Sequence, residues 1–142
     1  MKRKLVLTLV IALLLIIPIG TWVAGSVLTA PIPASIGNLP ADLVGRSVQF
    51  PSESGTVIHG WFIPGNKGMG AIILMHGVRS NRLSMLDRGR FLFRAGYSVL
   101  LFDFQAHGES KGDHITLGYL ESKDAQAAVR FVRENVPGEK IV

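Results

Sequence analysis

The sequence predicts an α/β domain behind an N-terminal helix long enough to span a membrane. Three observations carry this. Leu5 to Val27 is a mostly apolar run, and no residue between Lys4 and Asp42 carries a charge. Two short apolar runs, Ala71–His76 and Tyr97–Phe104, have the continuous character of strands buried on both faces. Between and after them lie stretches with helical periodicity, and strand–helix–strand–helix order implies parallel strands joined by right-handed crossovers.

About 20 helical residues cross the roughly 30 Å hydrocarbon core of a bilayer. Pro18 and Gly20 are tolerated in such a helix, and Trp22 suits the far interface. Lys2, Arg3 and Lys4 form a basic segment (residues 1–4) that favours the cytoplasmic side, which sends the remainder out. Residues 5–27 therefore read as an uncleaved single-pass anchor. The alternative is a signal peptide cleaved after Ser26, although its apolar region should be only about 7–15 residues long. Both readings export the domain, one tethered and one secreted.

Residues 28–43, with Pro31, Pro33 and Pro40, read as a linker. The domain is expected over 44–142. "SVQF" (Ser47–Phe50) and "VIHGWFI" (Val57–Ile63) alternate and are separated by "PSESG", the pattern of an antiparallel hairpin. Ala71–His76 is the next strand, Ser84–Arg94 a helix ending before Gly96, and Tyr97–Phe104 a second buried strand. Leu120–Val136 places Leu120, Ala127, Ala128, Phe131 and Val132 on one face and stops at Pro137-Gly138. "KIV" at the end reads as the opening of a third buried strand.

Composition narrows the function classes. The net charge is +5, but Lys2, Arg3 and Lys4 supply three of it; from Pro31 onward 12 basic and 10 acidic side chains leave +2, so nucleic acid is not an expected partner. Arg79, Arg82, Arg88, Arg90 and Arg94 form a local excess, read as a solvated helix face or as a contact for anionic lipid or substrate. There is no cysteine, which excludes disulfides and thiolate metal sites.

The rim beyond the carboxyl ends of parallel strands is where ligands bind in such sheets. Two segments occupy it. "FDFQAHGESKGDH" (Phe102–His114) contains a literal G-x-S-x-G at Gly108–Gly112. A nucleophile elbow needs its serine at a sharp strand-to-helix turn. Ser110 lies about six residues past its strand and is followed by a glycine-rich loop, so it is not expected to be the nucleophile. Asp103 reads as a strand-end carboxylate accepting loop N–H bonds, and His107 as a loop histidine bonded within its turn. A metal site from Asp103, His107, Asp113 and His114 has no recognised spacing. "HG" at His76-Gly77 follows a buried strand directly. There a backbone N–H, that of Val78, is placed to donate to an oxyanion; the alternative is an ordinary turn. The second "HG", His59-Gly60, lies inside a strand and reads as structural.

Taken together and in order, "GWFIPG" (Gly60–Gly65), "AIILMHGVRSNR" (Ala71–Arg82), "GYSVLLFDFQAHGES" (Gly96–Ser110), "LGYLESKDAQAAVRFV" (Leu117–Val132) and "PGEKIV" (Pro137–Val142) resemble the α/β-hydrolase family. The likeness is to its bacterial serine-hydrolase branch near the prolyl-oligopeptidase and esterase groups. It implies the N-terminal half of that family's sheet, and hydrolysis of an ester, thioester or amide bond in a small-molecule or peptide substrate, with no cofactor. It assigns the oxyanion loop to Val78, shaped by His76 and Gly77, and a site rim to Asp103, His107 and Gly108. The family's usual Arg-Gly before His-Gly is replaced here by Gln105-Ala106. The resemblance also places the nucleophile elbow after the strand that "KIV" begins, so the triad is expected beyond Val142 and the chain to be inactive alone. The rival expectation is a non-catalytic, membrane-tethered interaction domain.

Overall fold

The computed structural model describes residues 2–142, as two compact units: one ends at Ala30 and the other is Pro31–Val142. Met1, part of the expected basic segment, lies outside the described residues.

Helix α1 (Lys2–Thr29) is the first unit. Within its stretch Arg3–Thr29 an 18-residue window reaches a mean hydropathy of 2.6, and the stretch is long and apolar enough to cross a membrane. Its hydroxyls are hidden along the helix. Thr8 donates to the Lys4 carbonyl, Thr21 to those of Ile17 and Pro18, Ser26 to that of Trp22, and Thr29 to that of Gly25.

In the second unit the expected hairpin forms. Strands β2 (Arg46–Pro51) and β3 (Val57–Ile63) pair antiparallel, with Val48 opposite Gly60 and Phe50 opposite Ile58. Strand β4 (Ala71–Leu74) runs parallel to β5 (Ser98–Phe102), and β5 pairs antiparallel with β3. The sheet order is β2-β3-β5-β4. On the far side of β4 the chain returns at Lys140–Val142. Ala71 N–H donates to Lys140 (2.8 Å), Val142 N–H to Ala71 (2.9 Å) and Ile73 N–H to Val142 (2.8 Å), in parallel sense. The apolar "KIV" thus lies as the next strand in the sheet.

Because β5 is central, its residues are buried on both faces and alternate between two cores. Leu100 and Phe102 join Val48, Phe50, Ile58, Phe62 and the Ala127, Ala128 and Val132 stripe of α3 (Glu121–Asn135). Val99 and Leu101 join Ile63 and Leu43, under Leu86, Leu92 and Phe93 of α2 (Leu86–Arg94). This two-sided burial is why the strand reads as a continuous apolar run rather than an alternating one.

Three expectations are corrected. The strand after Gly70 stops at Leu74, not His76: its last partner on β5 is Leu101, and beyond it the His76 ring accepts Phe104 N–H from the neighbouring loop. The helix expected from Ser84 begins with a 3-10 turn, Arg82–Met85, capped by the Asn81 side chain, which accepts from Leu83 N–H at 3.0 Å. Finally, residues 28–43 carry more structure than a linker. Thr29 is still helical, and β1 (Ile32–Pro33) pairs parallel with β6 (His107–Gly108). Pro31 and Pro33 have no N–H, so the donors of this stretch are Ile32 and Ala34, two residues apart on one edge. They donate to the Ala106 and Gly108 carbonyls, each at 2.8 Å.

Candidate active-site rim

The carboxyl ends of β4 and β5 lie side by side, so the loops after them, residues 75–81 and 103–114, share one rim. Two histidines join those loops. His76 donates from Nδ1 to the Gly77 carbonyl (2.8 Å), and its Nε2 accepts Phe104 N–H (3.1 Å). His107 donates from Nδ1 to the Gln105 carbonyl (2.9 Å), and its Nε2 accepts Arg79 N–H (3.2 Å). These partners assign both rings as neutral Nδ1–H tautomers. The rings lie 5.0 Å apart. Burial, first of all, holds the His76 imidazole below its ordinary pKa, with His107 acting in the same direction. Every ring nitrogen is engaged, so neither histidine offers a lone pair to a substrate proton.

Beneath the histidines lies an ion-pair network. Asp103, fully buried, accepts Arg82 N–H on Oδ1 (2.8 Å), and Oδ2 takes both the Arg82 guanidinium and Glu109 N–H (3.0 Å). Arg82, 2% exposed, also pairs with Glu109 and stacks over the Trp61 ring at 4.6 Å. Arg82 therefore does not belong to a solvated face. Arg90 instead pairs at the surface with Asp42 and Asp87.

Ser110 is buried as well. Its hydroxyl donates to the Asp103 carbonyl (2.7 Å) and accepts His59 N–H (2.9 Å), which stitches the loop to the end of β3. Neither His76 nor His107 has a ring nitrogen free to activate it. The residues expected at the rim, Asp103, His107 and Gly108, are all buried and shape the rim from below. Gly108 has φ +52°, and a Cβ there would sit 2.3 Å from Asp103 Oδ2. Val78, by contrast, is exposed, and its N–H has no hydrogen-bond partner among the described residues. Gly77 has an ordinary φ, and a Cβ there would meet nothing within 4 Å.

The departure Gln105-Ala106 has a visible consequence. Ala106 holds φ +59°, the left-handed region where glycine costs least. Gln105 compensates by donating to the His114 carbonyl (2.7 Å) and to Glu121 (3.0 Å). Glu121 also accepts from Thr116 N–H (2.9 Å), the Thr116 hydroxyl (2.6 Å) and Gly118 N–H (2.8 Å) at the start of α3. Burial would raise its pKa, but these donors outweigh it and bring it down to about 2 from 4.5. A folded-state pKa below the unfolded one stabilises the protein above the unfolded value. The stability is lost as the pH falls from 4.5 to about 2. Urea titrations between pH 5 and pH 3 should show a loss of about 2 kcal/mol that Glu121→Gln largely removes. A parallel pH dependence in the variant would exclude Glu121 as the source.

Neither the Arg82 network nor the Glu121 clasp is foreseen in the sequence. Asp103 at a strand end was the one available signal, since a carboxylate there requires donors.

No protein-family model matches the chain. The esterase PF2001 of Pyrococcus furiosus superposes on 80% of this chain with a TM-score of 0.70 and 30% sequence identity. Part of this chain has an α/β-hydrolase-like fold. The α/β-hydrolase GrgF of a Penicillium species supports the same fold at 23% identity, with a TM-score of 0.57 over 66% of the chain. Among curated proteins, the uncharacterized YfhR of Escherichia coli is 34% identical over 93 residues, 62% of this chain, and the uncharacterized YqkD of Bacillus subtilis is 30% identical over 83. The α/β-hydrolase-like chain spans about a third of YfhR (32%), 27% of YqkD and 46% of the esterase.

Proposed function

We propose that the protein is an exported hydrolase of ester, thioester or amide bonds, anchored by α1 with its N-terminus in the cytoplasm. The observation that carries this reading is the unpartnered N–H of the exposed Val78, at the carboxyl end of β4 in a fold similar to that of an esterase. A serine other than Ser110, placed after the strand that Lys140 opens, attacks the substrate carbonyl. The carbonyl oxygen becomes an oxyanion held by Val78 N–H, the alcohol, thiol or amine leaves with a proton, and water then hydrolyses the acyl-enzyme. The substrate is a small molecule or peptide, and the bilayer is the second partner. An open Gly77 lets a substrate approach the backbone closely.

Gly77→Ala tests this in the full-length protein. No atom lies where the new methyl goes, so the melting temperature should stay at the wild-type value. The methyl should hold a substrate off Val78 N–H, so hydrolysis of a p-nitrophenyl ester should fall by up to roughly 10²-fold in kcat/KM, the limit set by complete loss of that donor. Labelling by a fluorophosphonate should survive Ser110→Ala. Wild-type hydrolysis in Gly77→Ala, or labelling abolished by Ser110→Ala, would overturn the assignment.

A further inference from the structure

The stretch that follows α1 is tied to the candidate oxyanion loop by a continuous run of charged bonds. Glu109 is its centre. Oε1 accepts the N–H groups of Ile36 (3.2 Å) and Gly37 (3.0 Å), and Oε2 pairs with Arg82. Hydrogen bonding to these groups helps to hold the Glu109 carboxyl below its ordinary pKa, although burial opposes it. Arg82 ends the loop that carries Val78, and both its main chain and its guanidinium are fixed on Asp103. Three residues earlier, Arg79 holds φ +59° while its N–H bonds His107. A non-glycine residue in that region is strained, and such a conformation lasts only where its surroundings enforce it. The enforcement comes from both ends: His107 on Arg79, and the Asp103–Glu109 pair on Arg82.

From this geometry we infer that Glu109 is a positioning residue, which uses the docked stretch 32–37 to fix the loop presenting Val78 N–H. The inference rests on the hydrolase reading for the role of Val78, but not for the coupling itself. The bonds also have a chemical requirement. A guanidinium fork can hold two carboxylates at once, whereas an ammonium acts as a single point charge. The relay therefore needs arginine at 82 and an ionised carboxylate at 109.

Hydrogen exchange on the full chain in lipid nanodiscs, read by mass spectrometry over residues 31–37, 76–82 and 98–102, tests the relay. Arg82→Lys touches no atom of the 31–37 stretch. It should nevertheless speed exchange about tenfold in both 31–37 and 76–82, the scale of one charge-assisted hydrogen bond, and leave 98–102 unchanged. Exchange in 31–37 that stays at the wild-type rate overturns the relay. Should 98–102 also open, showing that this variant has lost its core, Glu109→Gln decides. Its amide oxygen still accepts Ile36 and Gly37 N–H, but its NH2 cannot pair with a guanidinium. Faster exchange in 76–82 supports the relay, and an unchanged rate there overturns it. In the full-length enzyme Glu109→Gln should lower kcat with KM unchanged, and a KM effect alone contradicts a positioning role. A wild-type protein that hydrolyses nothing while its exchange remains coupled removes the hydrolase reading and leaves the relay standing.

Discussion

Asp103→Ala should destabilise the α/β unit by about 3 kcal/mol, from the low end of the 3–5 kcal/mol seen when one partner of a buried ion pair is removed. The low end applies because Arg82 keeps Glu109, whose side chain is 28% exposed and can draw on water. Two further losses add to the cost: Arg82 N–H and Glu109 N–H both lose their acceptor. Folded domains are stable by only about 5–15 kcal/mol, so this single change removes a large share. Urea denaturation in detergent micelles at pH 7 measures it. The comparison with the double variant Arg82→Met, Asp103→Leu is more telling than the single value. Removing both leaves no unpaired charge at full burial: Glu109 loses its arginine but is 28% exposed and can draw on water, and apolar side chains of similar size fill the same volume. The double variant should therefore be more stable than Asp103→Ala, against the expectation for independent sites. If Asp103→Ala unfolds within 1 kcal/mol of wild type (about the net worth of an ordinary hydrogen bond), the network does not support the rim.

The Arg82 network also marks where sequence reading reaches its end. The hairpin, β5 and α3 were legible because each depends on local periodicity: alternation in β2, a continuous apolar run in β5, and an Ala127–Ala128–Phe131–Val132 stripe in α3. Arg82 has no such signature. Along the chain it is one arginine in a local group of five, and what buries it is a carboxylate 21 residues away at the end of another strand. The 31–37 stretch misleads for a related reason. Its prolines signal a break in secondary structure, and they do break it, yet by removing alternate donors they leave Ile32 and Ala34 to dock on β6. The reading of Ser110 rested on the distance from its strand, which is local information. The structure adds its two partners, which are not.

The two "HG" pairs show the same limit at single-residue scale, and they separate under one substitution. Gly60→Ala should be severely destabilising, because its Cβ would lie 2.6 Å from the Leu101 carbonyl oxygen and 3.0 Å from Phe102 Cβ. Neither neighbour can yield cheaply: Gly60 is paired with Phe102 in the β3–β5 ladder, and the adjoining bond from Asp103 N–H to the His59 carbonyl is 2.9 Å long. Moving β3 away would weaken that ladder at the centre of the sheet. It would also disturb His59 N–H, which Ser110 accepts. Overpacking of about 1–3 kcal/mol and one or two weakened hydrogen bonds give roughly 3 kcal/mol in total. For a domain of this size that corresponds to a fall of at least about 10 °C in melting temperature. Gly77→Ala, with the same two letters and the same added methyl, should leave the melting temperature where it is and act on hydrolysis alone. A scanning-calorimetry trace in which both variants melt with the wild type would mean that β3 and β5 are not packed as closely as Gly60 requires. Equal losses of stability in both would mean that Gly77 is held by the fold after all, and the oxyanion assignment would then rest on Val78 N–H without a glycine that the backbone itself does not need.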